Sequence, residues 1–171
     1  MIPLLALAAC AWLALLISGP LLPVPAAGLL YLAGSLICHQ LPERSFHLGT
    51  AQLPVCARCI GIYAGVALGL VAQALAPHAR VRTLGTLRVV VIAAALPTAI
   101  TVALEWIGIW HPSNPARAGA GAVLGAGLAC VVAEAVAKLH YEPCVPQRRI
   151  APRPPADRKS TRLNSSHVSE S

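Results

Sequence analysis

Charge is scarce in this chain of 171 residues, and acid is scarcer still. Charged residues make up 11%, and Asp and Glu together number six. A soluble domain usually carries about 25% charged residues, so an ordinary soluble domain is a poor description. Aromatics are few as well, at 4% with a single Phe. What fills the chain instead is apolar: 57% hydrophobic residues and a mean hydropathy of +0.69, the signature of a membrane protein. Abundant Ala and Gly suit helices whose backbones approach closely in lipid. Several motifs are missing too. There is no Gly-rich phosphate loop, no Gly-x-Ser-x-Gly, no His-Glu-x-x-His, and no His after the Cys-x-x-Cys, so neither nucleotide nor haem is expected. The formal charge is +7, but the basic residues sit in short loops and the tail. They read as membrane-orientation signals, and nucleic acid is not an expected partner.

The apolar runs lay out an all-α integral membrane bundle of about four transmembrane helices plus a short interfacial helix. The first run is Ile2 to Ile17. No Lys or Arg precedes it, so it reads as a retained helix and not a cleaved signal. A Pro-rich turn closes this first unit, residues 1–25. Residues 26–137 then form the main membrane domain. Ala26 to Ile37 is apolar but spans about 18 Å as a helix, too short for a standard crossing. It reads as a tilted or interfacial helix that delivers Cys38 to the surface. The second long span is expected from Pro54, a natural first-turn residue, to Ala76. The third is expected from about Val89 to Trp110, with a kink at Pro97. The fourth should run from Pro115 to Ala137, capped by Asn114. Gly61, Gly65 and Gly69, with Gly121 and Gly125, repeat every fourth residue and mark packing faces, within the bundle or toward a second copy or other membrane subunits. Residues 138–156 are expected to be disordered. Residues 157–171 share nothing with what precedes them; they read as a non-native tail and are set aside.

One long polar interruption breaks the first two-thirds of the chain. Residues 38–59 hold three of the six cysteines and two of the six histidines: Cys38, His39, His47, Cys56 and Cys59. Cys56 and Cys59 stand three apart at a helix start, so their sulfurs share a face, and the helix N-terminus favours thiolate. With Cys38 and His39 they could complete a tetrahedral Cys3His set for one zinc or other transition-metal ion, with His47 as an alternative nitrogen. Such a set requires the three sulfurs to converge within about 4 Å of one another. Two rivals stay open: a thiol–disulfide oxidoreductase using Cys56 and Cys59, and a structural or transport subunit stapled by a disulfide. A fourth element of the site is an acid at the end of a span. Glu105 at that depth is costly unless paired, and Arg44, Arg58 or Arg117 could neutralise it.

Orientation follows from the basic loops. Arg80, Arg82 and Arg88, with Lys138, Arg148 and Arg149, should be cytoplasmic, which places the Cys/His segment outside and the C-terminus inside. The 105–115 segment should return to the same face as the site.

The stretch CHQLPERSFHLGTAQLPVCARCIGIYAGVALGL resembles the signature of a bacterial family of membrane proteins, domain of unknown function 2085. The matching residues are Cys38, His39, Gln40, Pro42, Arg44, Ser45, Phe46, Pro54, Val55, Cys56, Ala57, Arg58, Cys59, Gly61, Ile62 and Tyr63, and later Ser113, Asn114 and Arg117. The likeness covers about residues 29 to 135. It implies a small multi-span protein of the bacterial inner membrane and no established activity. Where that family often has Asp-Gly in the third span, this chain has Glu105 nearby.

Overall fold

The computed structural model describes residues 1–76 and 84–140. Among the described residues, five α-helices and one β-hairpin form: α1 (Ile2–Ser18), α2 (Val24–Ser35), β1 (Ser45–Leu48), β2 (Ala51–Cys56), α3 (Ala57–Leu75), α4 (Leu84–Trp106) and α5 (Asn114–His140). Among the same residues, four helical segments are long and apolar enough to cross a bilayer: Ile2–Leu21, Ala57–Leu75, Gly85–Trp106 and Asn114–Leu139. The expected tail after Lys138 begins as continuing helix to His140; the rest of it, including Cys144 and the 157–171 stretch, lies outside the described residues.

Helix α3 packs mainly on α5, with α1 on one flank of α3 and α4 on α5. The contact between α3 and α5 is built on missing side chains. A Cβ on Gly61 would overlap the carbonyl of Ala118, and one on Gly65 that of Ala122. Reciprocally, Gly121 and Gly125 lie on the carbonyls of Arg58 and Ile62. Lipid tails are as apolar as leucine, so burial alone does not join such helices. Close backbone approach and the dispersion it permits do. The glycine faces that the sequence offers to other subunits are therefore occupied within the chain. Thr98 adds a polar tie, donating to the Ala120 carbonyl at 2.9 Å. On α4, Val89, Ile92, Leu96 and Ile100 stay exposed. Their three- and four-residue spacing makes an apolar stripe suited to lipid.

The short helix α2 stays at one end of the bundle. Gly19, just before it, and Gly34, near its end, both lie against Pro54. Leu16, Leu30, Cys38, Leu53, Val55 and Ile60 form one buried cluster there, with Tyr63 and Phe46 packed around it. Trp12 meets Tyr63 edge-on at 6.2 Å.

The hairpin departs from the all-helical expectation. Ser45 pairs with Cys56, His47 with Gln52 and Leu48 with Ala51, with an irregularity between Ser45 and His47. Gly49, at φ +65°, supplies the tight turn. Pro54 lies in β2, so α3 begins three residues later than expected, with Cys56 as its N-cap. In a two-stranded ribbon both strands are edges, and a proline there need not donate to a further strand. The third span is shifted toward the N-terminus relative to expectation: α4 runs from Leu84 to Trp106, leaving Trp110 exposed in the following loop.

Candidate functional site

Three elements deliver the three cysteines. Helix α2 ends with the Ile37 and Cys38 N–H groups donating to the Gly34 carbonyl. That fixes Cys38 under the hairpin, where it is buried. The hairpin's second strand ends at Cys56, and the first turn of α3 carries Cys59. The sulfurs of Cys56 and Cys59 lie 3.6 Å apart. All three sulfurs lie within 4.8 Å of one another, and none of the three cysteines is disulfide-bonded. The full set is thus looser than the expected 4 Å, while the Cys56–Cys59 pair meets it.

Backbone donors are aimed at this sulfur group. Cys38 Sγ accepts N–H bonds from Cys56 at 3.1 Å and from Gln40 at 3.5 Å. The Cys56 thiol is held far below its ordinary value, to about 5. The first cause is the hydrogen bond from the Cys59 side chain, helped by N–H groups of the α3 N-terminus and by Cys38, and opposed by burial. N–H donors and a helix N-terminus both favour thiolate over thiol. The Cys59 thiol is the donor in that bond and keeps its proton, so of this pair Cys56 is the one disposed to be thiolate. The three sulfurs are close enough to hold a metal ion.

Neither histidine joins the sulfurs. His39 is exposed and lines the same cavity, but its nitrogens lie outside the 4.8 Å group. His47 is further removed: it pairs with Gln52 toward the hairpin turn and faces solvent, while Cys56 is at the opposite end of the ribbon. Adjacency in sequence to Cys38 does not turn an imidazole to the same side.

The acid at the membrane end is paired three times over. Glu105 is 7% exposed. Its carboxylate meets Arg117 at 2.8 Å, Arg44 at 3.3 Å and Arg58 at 3.4 Å. Arg117 is buried like Glu105, Arg58 is partly buried and Arg44 is the most exposed of the three. All three arginines singled out from the sequence thus converge on one carboxylate, bringing the hairpin, α3, α4 and α5 together. The Asn114 amide serves this cluster and does not cap α5. It donates to the Ser45 carbonyl at 3.0 Å and accepts from Arg117 at 3.1 Å, while the Arg117 N–H closes the first turn onto the Ser113 carbonyl.

Two cavities flank the arginines. One, of about 460 Å³, is bordered by Cys38, Cys56 and Cys59 on one side and by Arg44, Arg58 and Trp106 on the other. The second, of about 470 Å³, is bordered by Glu43, Arg44, Glu105, His111, Asn114 and Arg117. Arg44 faces both.

Sequence reasoning missed the residues that hold the sulfur loop in place. Gln40 adopts φ +51°, a region that non-glycine residues seldom occupy. Its side-chain amide donates to the carbonyls of Tyr31 at 2.8 Å and Pro54 at 2.7 Å. Its own carbonyl accepts from Gln52 at 2.6 Å, and Tyr31 donates to the Gln52 carbonyl. The chain between α2 and β2 is thus laced by amides. The one sequence signal for this is the pair of glutamines, Gln40 and Gln52, within the polar 38–59 segment.

The family model described as "Predicted membrane protein (DUF2085)" matches residues 38–131. The chain belongs to that family. The match begins at Cys38 and takes in the sulfur group, all four members of the charged cluster and the α3–α5 glycines. An uncharacterized protein of Methanocaldococcus jannaschii, MJ1492, is 34% identical over 100 residues, 56% of this chain and 61% of the relative. The chain therefore spans under two-thirds of that relative's length. An uncharacterized protein of Methanothermobacter thermautotrophicus is 32% identical over 93 residues, 54% of this chain and 81% of the relative. Both relatives are archaeal and lend no support to the bacterial source carried by the resemblance. No solved structure matches the chain.

Proposed function

We propose that this membrane protein binds one transition-metal ion, zinc first, through Cys38, Cys56 and Cys59 at the outer face of the cell membrane. The observation that carries the reading is the sulfur geometry with its donors. Four ligands at about 2.3 Å around zinc stand about 3.8 Å apart, and Cys56 and Cys59 are 3.6 Å apart. The N–H groups on Cys38 are the outer-shell bonds that a metal-bound thiolate uses to hold its charge and direction. Purified full-length protein should carry about one metal per chain, with sulfur neighbours near 2.3 Å in X-ray absorption. Cys38→Ser and Cys56→Ser should each abolish binding, since a hydroxyl is a poor partner for a borderline-soft ion. Metal-free protein with a Cys56–Cys59 disulfide would refute the reading. It would favour a second one, a thiol–disulfide oxidoreductase, which the low Cys56 thiol also supports.

The outward orientation rests on the sequence alone, in which one span separates the site from the basic loop of Arg80, Arg82 and Arg88 and basic residues recur at Lys138, Arg148 and Arg149. On intact cells, a membrane-impermeant thiol reagent should label the 38–59 cysteines after mild reduction and metal removal. It should not label a Thr83→Cys variant at the new position. Labelling at position 83 from outside would reverse the orientation.

A further inference from the structure

We propose that the metal held by Cys38, Cys56 and Cys59 keeps its fourth position open, and that this position takes a small carboxylate clamped by Arg44 and Arg58. The inference rests on the metal reading above and extends it to a ligand class. Three protein ligands with a free fourth position are the arrangement of an exchangeable metal site, whereas structural sites close all four. Here the protein supplies three sulfurs, and the space beside them is a cavity of about 460 Å³. That volume suits a small molecule. Arg44 and Arg58 border it, and no carboxylate does; Glu43 faces the neighbouring cavity.

Charge selects the ligand. Three thiolates on a divalent ion leave one negative charge. Three guanidiniums around Glu105 leave two positive charges. The two groups together carry one positive charge in excess, which a monoanion balances and a phosphate dianion overshoots. A guanidinium fork matches the two oxygens of a carboxylate, one of which would be free to meet the metal. Arg44 is the more exposed member of the clamp. Its side chain is 40% exposed and its 3.3 Å contact with Glu105 is longer than that of Arg117. It can turn to the ligand while Arg117 keeps Glu105 paired.

The test uses the full-length protein in detergent, loaded with Co²⁺, whose visible bands report coordination. Acetate should shift the bands saturably. Arg44→Gln should weaken that response about tenfold or more, the loss of one charge-assisted hydrogen bond, with the metal content unchanged. Arg58→Lys, which keeps the charge beside Glu105 but not the fork, should weaken it as well. His39→Ala should leave the acetate-free spectrum as it was. If Co²⁺ does not bind, the metal reading itself fails. If Co²⁺ binds and acetate has no effect, or acts equally on the Arg44→Gln protein, the open position is refuted. A spectrum altered by His39→Ala makes His39 the fourth ligand and overturns the proposal. A response to phosphate in preference to acetate overturns the carboxylate assignment.

Discussion

The sulfur group and the carboxylate group share one end of the bundle and solve opposite electrostatic problems. The sulfurs are three latent anions served by neutral donors, N–H groups and a helix N-terminus. Glu105 is one anion served by three full cations. A buried charge left alone is costly, and a buried pair is retained when its geometry also fixes elements together. The carboxylate group does this: it ties the hairpin, α3, α4 and α5 at a single point. The sulfur group ties α2, β2 and α3, but its charge is conditional on deprotonation. The fully paired carboxylate group therefore serves the fold, whereas the sulfur group retains three thiols free of any disulfide, on which the proposed ligand would act.

The sharpest way to break that contrast is Glu105→Gln. It leaves three guanidiniums facing one another at the membrane end, at a cost of about 3–5 kcal/mol, the usual effect of orphaning a buried charge. Glu134→Gln, on α5 away from the cluster, should stay within about 0.5 kcal/mol. Thermal unfolding in detergent compares the two; equal, small changes would reduce Glu105 to a solvated residue. A middle-sized effect should separate the arginines. Arg117→Gln should lose about 1–3 kcal/mol, since a hydrogen bond to a charged group is removed inside the protein. Arg44→Gln should lose less than about 1 kcal/mol, because the exposed pair is screened by solvent. Similar losses for both would mean that burial does not rank these contacts. A similarly small effect is expected of Cys56→Ser in metal-free protein, within about 1 kcal/mol, since neighbouring N–H groups can serve the hydroxyl. A loss as large as that of Glu105→Gln would make the sulfurs structural.

Much of the frame was legible from sequence because lipid imposes strong rules. Span length, scarce charge and four-residue glycine spacing each have one main physical solution in a bilayer. Glu105 was legible for the same reason: an acid at that depth requires a partner, and few cations lie at that end. The hairpin was not legible. Pro54 reads equally well as a helix start, and the irregularity after Ser45 breaks the alternation that marks a strand. The direction of His39 was not legible because sequence spacing fixes direction within a helix or regular strand, whereas residues 38–41 belong to neither; His47 lies in β1, where its pairing with Gln52 carries it toward the turn and away from Cys56. The left-handed Gln40 that shapes that segment carries no sequence signal of its own, since glycine would be the expected residue there.

Gly121 rests on the carbonyl of Arg58, and Arg58 is one of the two residues between Cys56 and Cys59. The Cys-x-x-Cys turn and the helix crossing therefore share one peptide unit. A methyl added at Gly121, far from any thiol in sequence, would press on that peptide and so on the spacing of the two sulfurs. Under the proposed metal reading, an ion too large for that spacing would have to prise the two spans apart to be held.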